Sequence, residues 1–212
     1  MSVWAVVLAA GRASRYGADI PKQYERLGGR RVLDWSIEAA RGSCDGVVLV
    51  VADAFADRDE PAVDVVVTGG ATRSESVRAG LAAVPADAEI VVVHDAARPL
   101  AGAPLFDAVI ERVRAGADAA VPAVAVTDTV KRVDDRGRVL ETLDRDELVA
   151  VQTPQAFRAS ILRDAHAGCP EATDDAALVE QLGATVVVVP GDPRNLKITF
   201  AGDLRRAELH LD

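Results

Sequence analysis

The chain has 212 residues, 50% of them apolar, so it can bury one substantial hydrophobic core and is expected to form a single domain. Its formal net charge of −9 at pH 7 disfavours a nucleic acid or an anionic membrane surface as a partner, because either would repel it. The sequence has no apolar stretch of the roughly 18 residues that are needed to span a bilayer.

Short apolar runs typical of buried strands alternate with alanine-rich runs typical of helices. This alternation predicts an α/β fold with a mostly parallel sheet and helices on both faces. The predicted strands are Val3–Ala9, Gly46–Ala52, Asp64–Thr68, Ile90–His94, Ala119–Val124 and Thr185–Val189. The predicted helices are Val32–Arg41, Arg73–Val84, Pro104–Ala115, Ser160–Ala167, Asp174–Leu182 and Gly202–Leu209.

One segment, Thr127–Val151, breaks this alternation. Within it, Lys131–Leu140 contains two short runs around an Asp-Asp-Arg-Gly turn, a pattern that predicts a β-hairpin. The hairpin is too polar for a core strand pair and is long enough to project as an arm. Because an isolated two-stranded ribbon is marginally stable in water, we expect the arm to pack on a symmetric partner subunit in a homodimer.

The first predicted strand ends in a cationic loop. The apolar run Val3–Ala10 is followed by Gly11, and Arg15 and Lys22 come soon after. Ligands of open α/β sheets bind beyond the carboxyl ends of the strands, so both cations lie where a polyphosphate would be held. The loop has neither the P-loop spacing nor the three glycines of the dinucleotide fingerprint. It is either a nucleotide site in which side-chain cations hold the phosphates or a strand end with solvated basic residues.

A second glycine loop, Thr68–Val77, follows another predicted strand. Gly69 and Gly70 would let the backbone approach a ligand closely. Thr72 is placed to cap the helix that begins here, and capping is the favoured interpretation over ligand binding. Ser76 lies in the first helical turn, where either a ligand role or a structural role stays open.

The predicted strand Ile90–His94 leads into Asp95 and Arg98. A carboxylate at the end of an apolar strand suits a Mg²⁺ ion or a ribose hydroxyl, and a guanidinium suits a phosphate. The alternative is an ion pair between these two side chains that holds the loop. His94 fits a buried structural histidine better than a catalytic base.

Cysteine and histidine usage limits the redox and metal chemistry. Cys44 and Cys169 lie far apart, and the N-terminus lacks the basic and apolar regions of a signal peptide. We therefore expect reduced thiols and a cytoplasmic location. Three scattered histidines without a cysteine pair disfavour a zinc site. Any metal is expected to be bound through oxygen.

Eight motifs occur in order from the first predicted strand to the last predicted helix. They are Leu8-Ala-Ala-Gly-Arg-Ala-Ser-Arg, Pro21-Lys-Gln, Gly69-Gly-Ala-Thr-Arg, His94-Asp-Ala-Ala-Arg-Pro, Asp128-Thr-Val-Lys, Leu143-Asp-Arg, Thr153-Pro-Gln and Asn195-Leu-Lys-Ile-Thr. Together they resemble the 2-C-methyl-D-erythritol 4-phosphate cytidylyltransferases of the non-mevalonate isoprenoid pathway. The resemblance implies a Rossmann-like nucleotidyltransferase domain, a dimer formed through a protruding arm, and a Mg²⁺-dependent transfer of CMP from CTP to a sugar-alcohol phosphate with release of pyrophosphate.

The resemblance also implies roles for individual residues. Four cations would be catalytic. Arg15 and Lys22 would stabilise the charge that develops on the α- and leaving phosphates of CTP. Arg145 and Lys197 would position the acceptor phosphate. The cytidine would be surrounded by Ala9, Ala10, Gly11, Gly70, Ala71 and Ser76. The acceptor and metal site would be completed by Asp95, Arg98, Thr129 and Thr153, and Asp95 would also touch CTP.

Two positions depart from the family pattern. Ala13 stands where many relatives have a second loop glycine, which restricts backbone conformations with positive φ. Ala71 stands where some relatives have an acidic residue, which removes a side-chain contact to the nucleotide but leaves the backbone. Neither departure is expected to abolish the reaction.

The implied reaction needs no general base, because the attacking phosphate oxygen is already anionic. Positioning and electrostatic stabilisation would carry it. Ribitol-5-phosphate cytidylyltransferase shares the fold and the CTP site, so the acceptor stays open between the two polyol phosphates. A non-catalytic nucleotide-binding module would not need all four cations, and the missing glycines disfavour a nicotinamide-dependent dehydrogenase.

Overall fold

The computed structural model describes residues 1–11 and 20–211, which form a mixed eight-stranded sheet, two short hairpins and flanking helices. The strands are β1 (Val3–Ala9), β2 (Arg26–Leu27), β3 (Arg30–Arg31), β4 (Gly46–Val51), β5 (Val65–Thr68), β6 (Ile90–Asp95), β7 (Ala119–Ala125), β8 (Lys131–Val133), β9 (Val139–Thr142), β10 (Val149–Val151), β11 (Gln155–Arg158) and β12 (Val186–Pro190). The α-helices are α1 (Val32–Ser43), α2 (Arg73–Ala83), α3 (Ala103–Arg114), α4 (Ala159–His166), α5 (Asp175–Gln181) and α6 (Ala201–Glu208).

The main sheet has the strand order β10-β7-β11-β6-β1-β4-β5, and β12 pairs with β7. The central strand β1 runs parallel to both β4 and β6. These three strands are apolar along most of their length because helices cover both faces of the sheet, which leaves no solvated side. The register sets Leu8 opposite Asp95, so the carboxyl ends of β1 and β6 lie side by side.

The helices form two layers. Helices α1 and α3 pack on one face of the sheet, where Leu33, Ile37 and Phe106 join the core. Helices α2, α4 and α5 cover the other face, where Val77 and Leu162 are buried. A smaller apolar cluster lies beside α6 and β2 and is formed by Leu27, Val32, Ile198 and Ala207.

The predicted fold class is confirmed. All six predicted strands and all six predicted helices are present, with ends that agree to within two residues. The Rossmann-like arrangement follows from the parallel pairing of the central strands β5, β4, β1 and β6 and from the helices on both faces.

Two strands of the main sheet were not predicted. Strand β11 lies between β6 and β7 and is antiparallel to both, and β10 pairs antiparallel with β7. The sequence of β11, Gln-Ala-Phe-Arg, is short and polar at both ends, so hydrophobic periodicity gives no strand signal there. Its place in the sheet is decided by long-range pairing.

The predicted hairpin is present as β8 and β9. Gly137 turns the chain with φ of +77°, and the Asp134 carboxylate accepts hydrogen bonds from the backbone nitrogens of Arg136 and Arg138. The predicted arm is shorter at its C-terminal end than expected, because its last three residues form β10 in the main sheet.

Two expectations from composition can be compared with the structure. Among residues 1–11 and 20–211, no helix has the length and apolar character required to cross a membrane. Cys44 and Cys169 are both free thiols, as predicted. Burial is the main cause that raises the pKa of Cys44 to about 12, so this thiol stays protonated.

Candidate active site

A cavity of about 340 Å³ lies at the carboxyl ends of β1 and β6 and beside the start of α2. The described residues that line it are Leu8, Ala9, Ala10, Gly11, Lys22, Gln23, Gly70, Ala71, Thr72, Arg73, Ser76, Asp95, Ala97, Lys197 and Thr199. Nine of the predicted site residues are therefore brought together at one sheet edge: Ala9, Ala10, Gly11, Lys22, Gly70, Ala71, Ser76, Asp95 and Lys197. Such an edge is where open α/β sheets bind their ligands.

Gly69 allows the two loops at the cavity to approach each other closely. A Cβ atom at this position would lie 2.5 Å from the Ala10 Cβ and 2.7 Å from the Ser76 Oγ, which is well inside van der Waals contact. The absence of a side chain at Gly69 therefore lets the end of β1 and the first turn of α2 share one cavity.

A capping box orders the start of α2. The Thr72 hydroxyl accepts a hydrogen bond from the Glu75 backbone nitrogen at 3.1 Å, and the Glu75 carboxylate accepts one from the Thr72 nitrogen at 3.2 Å. The same carboxylate accepts a bond from the Ala71 nitrogen at 2.6 Å. The capping prediction for Thr72 is confirmed. The Ser76 hydroxyl lines the cavity while it donates to the Thr72 carbonyl at 2.9 Å.

Gln23 also lines the cavity, although the sequence did not mark it as a site residue. Its side chain is buried, and its amide nitrogen donates to the carbonyls of Ala9 and Gly11. These contacts tie the short 3-10 helix Lys22–Tyr24 to the end of β1. The neighbouring Lys22 amino group donates to the Ile198 carbonyl, so its ammonium is held at the cavity wall.

Asp95 is the acidic centre of the cavity. Its Oδ2 lies 2.6 Å from the Lys197 Nζ, and its Oδ1 lies 3.5 Å from the Arg73 Nε. Burial raises the pKa of the carboxyl, but the positive charges of Arg73 and Lys197 outweigh this effect and hold the pKa well below its usual range. Asp95 is therefore ionised at neutral pH and fixes the position of the Lys197 ammonium.

The alternative ion pair between Asp95 and Arg98 is wrong within the described part of the chain. The Arg98 guanidinium donates to the Asn195 carbonyl at 2.8 Å, and burial lowers its pKa. The cations that hold Asp95 are Lys197 and Arg73, which lie 102 and 22 residues away in the sequence.

His94 is the structural histidine that the sequence indicated. It is fully buried, with Nδ1 at 3.1 Å from the Thr153 Oγ1 and Nε2 at 3.3 Å from the Ser36 Oγ. Burial is the main cause that lowers its pKa to about 4. The ring is therefore neutral at physiological pH and lies outside the cavity wall.

Several predicted site residues do not line this cavity. Arg98 and Thr153 are not among its lining residues, although Thr153 accepts a hydrogen bond from the Asp95 backbone nitrogen at 3.1 Å. Thr129 and Arg145 are exposed at the base of the arm, and the Arg145 guanidinium donates to the Thr127 carbonyl at 2.7 Å. Binding roles for these four residues stay predictions. Arg15 and Ala13 lie outside the described residues.

The site can be tested for its fit to Mg²⁺. Among the described residues, no cluster of three or more histidine, cysteine, aspartate or glutamate side chains could hold a metal ion. Asp95 contributes one ionised carboxylate to the cavity wall, flanked by cations. Magnesium is often held by one or two carboxylates together with substrate phosphates and water, so this donor set fits a Mg²⁺ ion carried mainly by a bound triphosphate.

Comparisons with known proteins agree over the whole chain. Residues 3–212 match the family model of 2-C-methyl-D-erythritol 4-phosphate cytidylyltransferase. The protein of this name from Nocardia farcinica is 47% identical over 218 residues, which cover 100% of this chain and 94% of the relative. The bifunctional enzyme IspD/IspF of Clavibacter michiganensis is also 47% identical, over 96% of this chain and 53% of the relative. The chain thus spans about half the length of such bifunctional relatives.

The fold agrees with the sequence match. The crystal structure of 2-C-methyl-D-erythritol 4-phosphate cytidylyltransferase from Thermus thermophilus superposes with a TM-score of 0.82 at 34% identity, covering 97% of this chain and 96% of that one. The two chains therefore share their fold as well as part of their sequence. The chain therefore belongs to the 2-C-methyl-D-erythritol 4-phosphate cytidylyltransferase family of nucleotidyltransferases.

Proposed function

We propose that this chain transfers CMP from CTP to 2-C-methyl-D-erythritol 4-phosphate, which yields 4-diphosphocytidyl-2-C-methyl-D-erythritol and pyrophosphate for isoprenoid precursor biosynthesis. The observation that carries the proposal is the cavity at the ends of β1 and β6. It combines two glycine loops, whose backbone can approach a nucleotide, with the side-chain ammonium groups of Lys22 and Lys197. Family membership supplies the reaction and the substrates.

The two lysines are held from different elements. The Lys22 amino group donates to the Ile198 carbonyl, which holds its ammonium at the cavity wall. We assign it, together with Arg15, to the charge that develops on the α- and leaving phosphates of CTP. Lys197 is fixed by Asp95 at 2.6 Å, and we assign it to positioning the acceptor phosphate.

The reaction is proposed to proceed without a general base. The acceptor phosphate is already anionic when its oxygen attacks the α-phosphorus, and pyrophosphate departs in line with the attack. No histidine or cysteine is found among the described residues that line the cavity. The low pKa of Asp95 also disfavours a role for this carboxylate as a proton acceptor.

A magnesium ion would be held by the triphosphate oxygens and by Asp95. When bound, it would neutralise phosphate charge and favour departure of pyrophosphate. Lys22 and Lys197 would hold the phosphates from the protein side.

We further propose that the chain works as a homodimer in the cytoplasm. The arm exposes apolar side chains at Val133, Val139 and Leu140, which a partner subunit would cover. Arg145 and Thr129 lie at the base of the same arm and do not line the cavity of their own chain. They would instead reach the acceptor in the active site of the partner, as a twofold interface allows.

Pyrophosphate release tests the proposal. The purified protein, CTP and Mg²⁺ are incubated with 2-C-methyl-D-erythritol 4-phosphate or with ribitol 5-phosphate, and ATP, GTP and UTP replace CTP in parallel reactions. We expect the methylerythritol phosphate and CTP to give the highest kcat/KM. Faster turnover with ribitol 5-phosphate would assign the chain to that acceptor, and no release with any acceptor would refute transferase activity.

A further inference from the structure

A row of charged side chains of alternating sign extends from the cavity into the protein. Lys197, Asp95 and Arg73 line the cavity, and the Arg73 guanidinium contacts Asp175 on the far side through Nη1 at 2.8 Å. Asp175 then contacts His166, whose Nε2 lies 3.0 Å from the Asp175 Oδ1. The side chains of Asp175 and His166 are 1% and 3% exposed, so this end of the row lies in the core.

The position of Arg73 at the start of α2 is unfavourable for a positive charge. It is the first residue of α2, where the helix dipole disfavours a positive charge. Burial disfavours the charged form as well and lowers its pKa, but the negative charges of Asp175 and Asp95 outweigh burial and raise the pKa overall. Two carboxylates therefore stabilise a partly buried cation at a helix end where the helix dipole disfavours it.

The distances divide the charges into two pairs. Arg73 lies closer to Asp175, at 2.8 Å, than to Asp95, at 3.5 Å. Asp95 in turn lies closest to Lys197, at 2.6 Å. Without the charge of Asp175, the guanidinium would have Asp95 as its remaining anionic partner. It would then compete with Lys197 for the same carboxylate.

From these contacts we propose that Asp175, oriented by His166, is a positioning residue that draws the Arg73 guanidinium away from Asp95 and so leaves Asp95 free to fix Lys197. The inference rests on the proposed function, in which Lys197 positions the acceptor phosphate. Asp175 is not expected to touch a substrate. It acts through Arg73, from the start of α5, a helix that the sequence motifs did not connect to the site.

The first test is Asp175→Asn, which keeps the shape and removes the charge. We expect kcat/KM for the acceptor to fall roughly 10- to 100-fold, the range typical for loss of a supporting partner of a site residue. The Kd of CTP, measured by calorimetry, should rise by a much smaller factor than the one by which kcat/KM falls, because the contacts of the glycine loops to the nucleotide remain. A purely structural defect would weaken CTP binding and the acceptor reaction together.

The matched control is Asp174→Asn, the same substitution at the neighbouring position. Asp174 caps α5 by accepting a hydrogen bond from the Ala177 nitrogen at 3.0 Å, and asparagine is an equally good cap. Asp174 does not contact Arg73 in the structure, so kcat/KM should stay near the wild-type value. Melting temperatures of both variants separate effects on stability from effects on the reaction.

The second test is the double variant Arg73→Gln/Asp175→Asn. If Asp175 acts through Arg73, adding Asp175→Asn to Arg73→Gln should lower kcat/KM no further, because the competing guanidinium is already gone. The double variant also leaves no unpaired buried charge, so it stays informative if Asp175→Asn does not fold. His166→Phe, which removes the partner of Asp175, should shift kcat/KM in the same direction by a smaller factor.

The outcomes separate this inference from the proposed function. If the wild type does not transfer CMP to the acceptor, the proposed function fails. If the wild type is active and Asp175→Asn has wild-type kcat/KM, the positioning role is refuted. Additive losses in the double variant would refute it as well, because they would mean that Asp175 acts independently of Arg73.

Discussion

Lys22→Ala is expected to lower kcat strongly and to change the KM for CTP little. Lys22 is held at the cavity wall by the Ile198 carbonyl, which orients its ammonium. Interactions that strengthen as charge develops in the transition state affect kcat more than ground-state binding. The substitution therefore tests whether Lys22 stabilises the transition state.

The expected magnitude follows from the charge and its surroundings. One unit of charge at about 4 Å, in an effective dielectric of about 20, contributes about 4 kcal/mol. About 1.4 kcal/mol corresponds to a tenfold change in rate, so full loss would cost roughly a thousandfold. Removal of one oriented stabilising group in enzymes typically costs on the order of 10²–10³ in kcat, and we expect Lys22→Ala to fall in that range.

The assay is initial-rate pyrophosphate release at saturating acceptor, with CTP varied. Arg112→Ala, which removes an exposed cation from α3, is the control and should keep the wild-type kcat. An unchanged kcat with a raised KM for CTP in Lys22→Ala would refute the reasoning, because it would assign Lys22 to ground-state binding.

Three further predictions concern the arm, the loop contact and the buried histidine. A mixture of inactive Lys22→Ala and Arg145→Ala chains should regain roughly a quarter of wild-type activity, because half the dimers are mixed and one of the two sites in each mixed dimer is intact. Subunit exchange is first proven by mass measurement, and no recovery after proven exchange would refute a shared site. Gly69→Ala should lower the melting temperature and weaken CTP binding, since its Cβ would clash with Ala10 at a cost of about 1–3 kcal/mol; unchanged values for both would contradict the close contact. The pKa of His94 is lowered to about 4, so the wild type should lose stability as the pH falls from about 6.5 to about 4, because the unfolded state binds the proton first. The melting temperature of His94→Gln should depend less steeply on pH, and an equally steep dependence would contradict a neutral buried ring.

The sequence predicted the layered fold because local patterns determine most of it. The central strands are continuous apolar runs, and the helices begin at capping residues such as Thr72. Strand β11 could not be predicted in this way, since its four residues carry no periodic signal. It is placed by antiparallel pairing with β6 and β7, and neither of these pairings has a local sequence signature.

The sequence predicted that the two glycine loops and the side chains of Lys22, Asp95 and Lys197 belong to the candidate site. It did not predict which cations pair with Asp95. The sequence favoured ligand roles for Asp95 and Arg98 and left an ion pair between them as the alternative. The structure instead gives Asp95 two partners from other elements, Lys197 and Arg73. Contacts of this kind depend on the order of the strands in the sheet, which sequence motifs do not encode.

One signal for Arg73 was present in the sequence. A cation at the first position of a helix is disfavoured by the helix dipole, so its presence there points to nearby carboxylates. The identity of those carboxylates could not be predicted, since Asp175 lies 102 residues away along the chain.

An isotope experiment tests whether the acceptor phosphate attacks the α-phosphorus of CTP. 2-C-methyl-D-erythritol 4-phosphate labelled with ¹⁸O in its phosphate is incubated with CTP, Mg²⁺ and the enzyme, and the products are analysed by ³¹P NMR and mass spectrometry. Attack at the α-phosphorus yields a cytidine diphosphate diester that retains all of the label, together with unlabelled pyrophosphate. Label in the pyrophosphate, or free CMP in place of the diester, would contradict it.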